Sequence, residues 1–104
     1  MEIGINNQKF TVDVANSFKK KFFGLMGKEN IKKGMFFSKT KSIHTFFMKE
    51  SIDIIMIDKN NNVVFFIKNM PKNKILIKKK AYHTIELPHN SLTTIKINDK
   101  LTIN

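Results

Sequence analysis

The segment IDIIMID, Ile52 to Asp58, carries apolar side chains at both odd and even positions. Along a strand successive side chains point to opposite faces. Ile52, Ile54 and Met56 then lie on one face, and Ile55 and Ile57 on the other. A strand that is apolar on both faces has to be covered on both. The following DKNNN, 58–62, is a strong turn, and NVVFFIKN runs back, so 52–58 and 62–69 are expected to form a hairpin in the central part of a wrapped sheet.

The same texture fills the rest of the chain after Gly34. MFFS, IHTFF, KILIK, YHTIEL and LTTIKI are short, rich in β-branched and aromatic residues, and separated by turn residues. At the N-terminus EIGINNQKFTVDVA alternates on either side of Asn6-Asn7, a hairpin pattern in which asparagine tolerates the positive φ of a tight turn. Pro71 interrupts the pattern, because it cannot donate to a ladder. One stretch reads as helical. Ser17 can cap an N-terminus, Phe18, Phe22, Leu25 and Met26 share one helical face, and Gly27 can end it. The expectation is a mainly β fold with one short α-helix at about 18–26. Its short, mostly antiparallel strands should form a compact barrel-like or folded-over sheet, since closure removes exposed edges.

At 104 residues the chain is a single domain, 1–104, with a core large enough to do without staples. Cysteine is absent, which excludes disulfides and thiolate chemistry. No apolar run follows a charged start, and the longest apolar runs fall far short of the ~20 residues that span a bilayer. These features point to a soluble, cytoplasmic protein without membrane insertion.

The net charge of +11 raises nucleic acid as a partner. All 19 basic residues are lysine, however, and the planar fork with which arginine grips phosphate is missing. Isoleucine, asparagine and lysine together make up nearly half the chain, as in proteins from AT-rich genomes. A solvated lysine surface is therefore favoured over a nucleic-acid interface.

His44 and Asp53 are polar residues inside apolar surroundings. If IHTFF and IDIIMID pair around a loop at Met48–Ser51, the two become diagonal neighbours on one face. A carboxylate orienting an imidazole is a general-base geometry. The structural alternative, favoured here, is that the pair satisfies itself or caps loop amides. Glu86, between Ile85 and Leu87, either joins them in a polar pocket or accepts backbone N–H bonds as a strut. His44, His83 and His89 lack zinc-ligand spacing, so no metal and no cofactor are expected. The phenylalanine doublets at 22–23, 36–37, 46–47 and 65–66 should each place one ring in the core.

The ordered landmarks DVANSFKKKFFGLMGK, KGMFF, HTFFMKESIDIIMIDKNNNVV, a proline near 71, IELP and NDKL resemble the domain-of-unknown-function family 192 over about 10–103. The resemblance implies a compact, mostly β domain with a short helix, found in bacteria and archaea, often behind a signal peptide, with no established activity. The recurrent family positions fall on Gly24, Met26, Gly34, Met35, Phe47, Met48, Asp53, Asp58, Glu86 and Leu87. The chain departs from the pattern in three places. His89-Asn90 replaces a glycine, Asn98-Asp99 replaces a Gly-Asp turn, and Lys19 to Lys21 stand where arginines are common.

The sequence reading is thus a binding or accessory module for an unknown ligand or protein partner, its site on the face carrying His44, Asp53 and Glu86. The alternatives are a small enzyme using His44 as base with Asp53 orienting it, and a lysine-rich nucleic-acid binder.

Overall fold

The computed structural model describes residues 1–17 and 24–104. Its strands are β1 (Glu2–Ile5), β2 (Gln8–Val14), β3 (Gly34–Phe37), β4 (Ser42–His44), β5 (Ile52–Ile57), β6 (Val63–Met70), β7 (Ile75–Ile77), β8 (His83–Pro88) and β9 (Thr102–Ile103). Seven of them form one sheet in the order β6-β5-β8-β3-β2-β1-β9, and β4 pairs with β7 in a separate ribbon. Most pairs are antiparallel; β2 and β3 run parallel.

Both expected hairpins form. β1 and β2 turn at Asn6 and Asn7, whose φ values are 47° and 68°. β5 and β6 turn at 58–62, where the Asp58 carboxylate accepts from the Asn60 and Asn62 amides, both at 2.9 Å, and Asn61 takes φ 65°. β5 is buried along its whole length between β6 and β8, as its two-faced apolar pattern requires.

The central strands separate two apolar layers. Ile55, Ile57, Ile85, Leu87 and Phe36 pack with Ile3, Ile5, Val12, Leu92 and Leu101 on one side. Ile52, Ile54, Met56, Met35 and Phe37 pack with Leu25, Ile43 and Met48 on the other. The first layer draws on strands from both ends of the sheet, so the sheet curls around it. Backbone bonds join those ends. Val63 N–H donates to Asp99 O at 2.8 Å, Asn98 N–H to Val63 O at 2.8 Å and Leu101 N–H to Asn61 O at 2.9 Å. The result is a curled half-barrel, with the β4–β7 ribbon lying over its outer layer.

The helix expected at about 18–26 falls mostly on residues 18–23, outside the described residues. Its described end, Gly24 to Gly27, is a turn, with Gly24 at φ 51° and Gly27 at φ 76°.

One pairing differs from expectation. IHTFF does not form a hairpin with IDIIMID. β5 has only two edges, and the longer β6 and β8 occupy both. His44 pairs instead with Ile75 across the ribbon. Segment 48–51 is a crossing, held where Glu50 accepts from the Asn30 and Ile31 amides at 2.9 and 3.1 Å. These two bonds hold the Glu50 carboxyl below its ordinary value. Phe46 and Phe47 therefore lie in a turn rather than a strand, and neither ring is buried; Phe47 is 78% exposed. In the doublet at 36–37, by contrast, both rings are buried, one in each layer.

Candidate functional site

The register of β5 against β8 decides which candidate residues can meet. Ile54 faces Glu86 and Asp53 faces Leu87. Directly opposed residues project to the same side of a sheet. Glu86 therefore emerges into the outer layer with Ile54, and Asp53 into the inner layer with Leu87. The two carboxyls stand on opposite faces, and His44 belongs to the ribbon over the outer one.

Asp53 is fully buried and holds backbone amides. Its Oδ1 accepts from Asn69 N–H at 2.8 Å and Asn90 N–H at 3.2 Å, and its Oδ2 from Leu92 N–H at 2.8 Å. Asn69 sits where the pairing of β6 with β5 slips, between Ile52 and Ile54. One carboxylate thus pins a strand irregularity and the loop after β8. This corrects the expected His44–Asp53 pairing and matches the alternative in which the carboxylate caps loop amides.

Glu86 and His44 do share a site. They line a cavity of about 380 Å³ with Gly24, Leu25, Phe37, Ser42, Ile43, Phe46, Met48, Ile75 and Ile77. β8 carries Glu86 between Met35 of β3 and Ile54 of β5. The Leu25 amide donates to its carboxyl. Burial dominates over that bond and pushes the Glu86 carboxyl up to about 8, so the group is protonated at neutral pH. Among the described lining residues the walls are otherwise apolar, apart from Ser42 and His44 on β4.

The ribbon that roofs the cavity is anchored by Thr45, itself buried. Its hydroxyl donates to Pro71 O at 2.7 Å and accepts from Lys74 N–H at 2.9 Å. His44 stacks on Phe46 with centroids 5.6 Å apart, and its Nδ1 accepts from Phe46 N–H at 3.3 Å. The turn carrying Phe46 is tied to the glycine turn by Gly27 N–H donating to Phe47 O at 3.1 Å. Ile75 and Ile77 are both more than 60% exposed at the cavity rim. The sequence reading overlooked them. The available signal was KILIK, in which Ile75 and Ile77 share one parity and Leu76 has the other, so on a short strand whose Leu76 faces the core the two isoleucines face away from it.

A second cleft, of about 420 Å³, gathers Lys41, Lys59, Lys79 and Lys80 around Tyr82 and the Asp58 turn. Lys59 Nζ lies 5.2 Å from the Tyr82 ring centroid. The Asp58 carboxylate is engaged by its own turn, which keeps its pKa low. His83 accepts from Lys39 N–H at 3.1 Å, and burial, followed by the charge of Lys39, lowers its pKa. Among the described residues no three histidine, aspartate or glutamate side chains converge as a metal-binding group. Among the described residues no helix is long and apolar enough to cross a membrane.

The curled half-barrel, with the β4–β7 ribbon over its outer layer, defines a small, mainly β fold. The sequence pattern of the DUF192 family, described as Uncharacterized ACR, matches residues 1–103, and the chain belongs to that family. It is 37% identical over 83 residues to a UPF0127 protein of Thermococcus sibiricus, covering 74% of this chain and 54% of that one. It is 35% identical over 95 residues to a UPF0127 protein of Thermococcus kodakarensis, covering 85% and 60%. The chain thus spans little more than half the length of these two archaeal relatives. A solved structure of a protein of unknown function from Novosphingobium aromaticivorans superposes with a TM-score of 0.80 at 16% identity, over 99% of this chain and 84% of that one, and establishes the fold alone.

Proposed function

We propose that the domain is a binding module that takes a small ligand in the cavity between the β4–β7 ribbon and β8. The observation that carries this reading is Glu86, a buried carboxyl that lines a largely apolar cavity open to solvent, with Ser42 and His44 as the other polar side chains among the described lining residues. A concave apolar site with a few convergent polar groups is the usual form of a small-molecule site. The reading also keeps a cytoplasmic setting, supported by the cysteine-free composition.

The test is a fragment screen read by thermal shift and by methyl NMR on Leu25, Ile43 and Ile77. A ligand at about 100 times its Kd adds roughly 2.7 kcal/mol to stability. Binders should shift those methyls and lose affinity in Ser42→Trp, which fills the cavity mouth from an exposed position. Hits that ignore this substitution and map elsewhere would remove the reading.

A second reading is favoured by the four lysines gathered around Tyr82. It takes that cleft as a contact for single-stranded nucleic acid, with lysines on phosphates and the ring on a base. Four phosphate contacts predict a slope of roughly −3 in log affinity against log salt. Salt-independent binding, or binding unchanged in the variant with Lys79 and Lys80 both replaced by Ala, would count against it.

A further inference from the structure

We propose that the ligand of the Glu86 cavity is a small, mostly apolar molecule bearing an uncharged carbonyl or amide oxygen, which accepts a hydrogen bond from the Glu86 carboxyl. This rests on the reading of the cavity as a binding site and names the chemistry that site would select.

The geometry carries the argument. Around Glu86, β3 contributes Met35 and Phe37, β5 contributes Ile54, and the glycine turn contributes Gly24 and Leu25. The ribbon contributes Ser42, Ile43 and His44. Among these described neighbours His44 is the one other titratable group. The Leu25 amide uses part of the carboxyl's accepting capacity. Gly24 leaves the rest approachable, since a β-carbon there would stand 3.2 Å from Oε1.

Without a cation beside it among these neighbours, the carboxyl keeps its proton near neutral pH, in line with its upward shift to about 8. A carboxylic acid is a donor as well as an acceptor. Ser42 and His44 are the other polar side chains among the described lining residues, and a ligand oxygen entering the cavity can accept the O–H.

Charged ligands fit less well. A cationic ligand would approach a protein of net charge +11 and bring its charge into apolar surroundings. A carboxylate ligand would be drawn by the overall charge but would still be desolvated within the same walls. An uncharged acceptor avoids both costs. At about 380 Å³ the cavity lies near the lower end of ligand pockets, which suits a fragment-sized molecule.

The experiment titrates hexanamide and hexylamine into the protein at about pH 6 and about pH 9.5, below and above the Glu86 transition. Binding is read on the methyl groups of Leu25, Ile43 and Ile77. Hexanamide should bind at the lower pH and weaken by on the order of tenfold or more at the higher, as the donor form is depleted. Glu86→Gln, which keeps a donor and an acceptor, should bind hexanamide at both pH values with little difference. Tighter binding of hexylamine than hexanamide, increasing with pH, would leave the cavity reading standing and overturn this inference in favour of a cationic ligand. Hexanamide binding in the wild type that is independent of pH would also overturn it. Failure of both probes and of a wider fragment set to move those methyls would overturn the cavity reading itself.

Discussion

Gly24 stands directly against Glu86. A β-carbon at position 24 would lie 3.2 Å from Glu86 Oε1 and 3.0 Å from Phe37 Cζ, and the backbone there is left-handed at φ 51°. Gly24 and Glu86 are thereby one structural unit, in which the turn reaches the carboxyl because it has no side chain.

Gly24→Ala should therefore be costly in two ways. The left-handed backbone alone costs about 1–2 kcal/mol for an L side chain, and the new methyl presses on Phe37 and Glu86. A fall of roughly 2 kcal/mol in urea unfolding is expected. An unchanged midpoint would show that the turn readjusts freely.

Asp53→Asn tests the strut. The amide keeps one accepting oxygen but sets an NH2 against a backbone donor, on the present geometry the Leu92 amide 2.8 Å from Oδ2. A buried donor left unpaired costs about 1–3 kcal/mol, and the charged bonds to Asn69 and Asn90 weaken as well. The expected loss is about 3 kcal/mol, with faster hydrogen exchange at Asn69, Asn90 and Leu92. Intact exchange protection at all three would contradict the assignment.

Glu86 makes stability depend on pH with a definite sign. Its folded pKa is raised, to about 8, above the ordinary value of 4.5. Between those values the folded state holds a proton that the unfolded state has lost. Stability from this group is therefore full below about 4.5 and declines as pH rises towards about 8, by up to about 1.4 kcal/mol per pH unit. The curve for wild type minus that for Glu86→Gln isolates this slope from other groups, including His83, whose lowered pKa acts in the opposite direction as pH falls below its ordinary value of 6.5. A flat difference curve in denaturant titrations across this range would refute the assignment.

Phe47 holds φ 61°, an outlier for a bulky residue, while its ring is 78% exposed. Asparagine visits this region readily. Phe47→Asn should raise stability by about 1 kcal/mol, because strain is relieved and little packing is lost. A measured loss of stability would mean that the ring contributes more than its exposure suggests.

The turns and the two-faced strand were legible in the sequence because their signals are local. IDIIMID announced a strand covered on both sides, and Asn6-Asn7 announced a hairpin. The partner of β4 was not legible. Pairing with β5 looked natural from sequence proximity, but β6 and β8 are longer competitors for the same two edges. That single error placed His44 beside Asp53, when the ribbon brings it to the cavity lined by Glu86. The asparagine content has a structural side as well as a compositional one. Of ten described non-glycine residues with positive φ, eight are asparagine. Asn90 and Asn98 are among them, at φ 61° and 74°, at two places where the resemblance set out above implies a glycine. The remaining departure, at Lys19 to Lys21, lies outside the described residues.

The bonds between Val63 and Asp99, and the reciprocal pair between Glu2 and Asn104 at 3.2 and 3.0 Å, join segments that are far apart along the chain. Closing such long loops costs entropy before any contact offsets it, so assembly belongs to the slow, millisecond-to-second range typical of non-local β topologies. Until β9 arrives, β1 presents an open edge and the inner layer lacks Leu101. During synthesis the exposed edge of β1 therefore has to be protected until β9 has emerged.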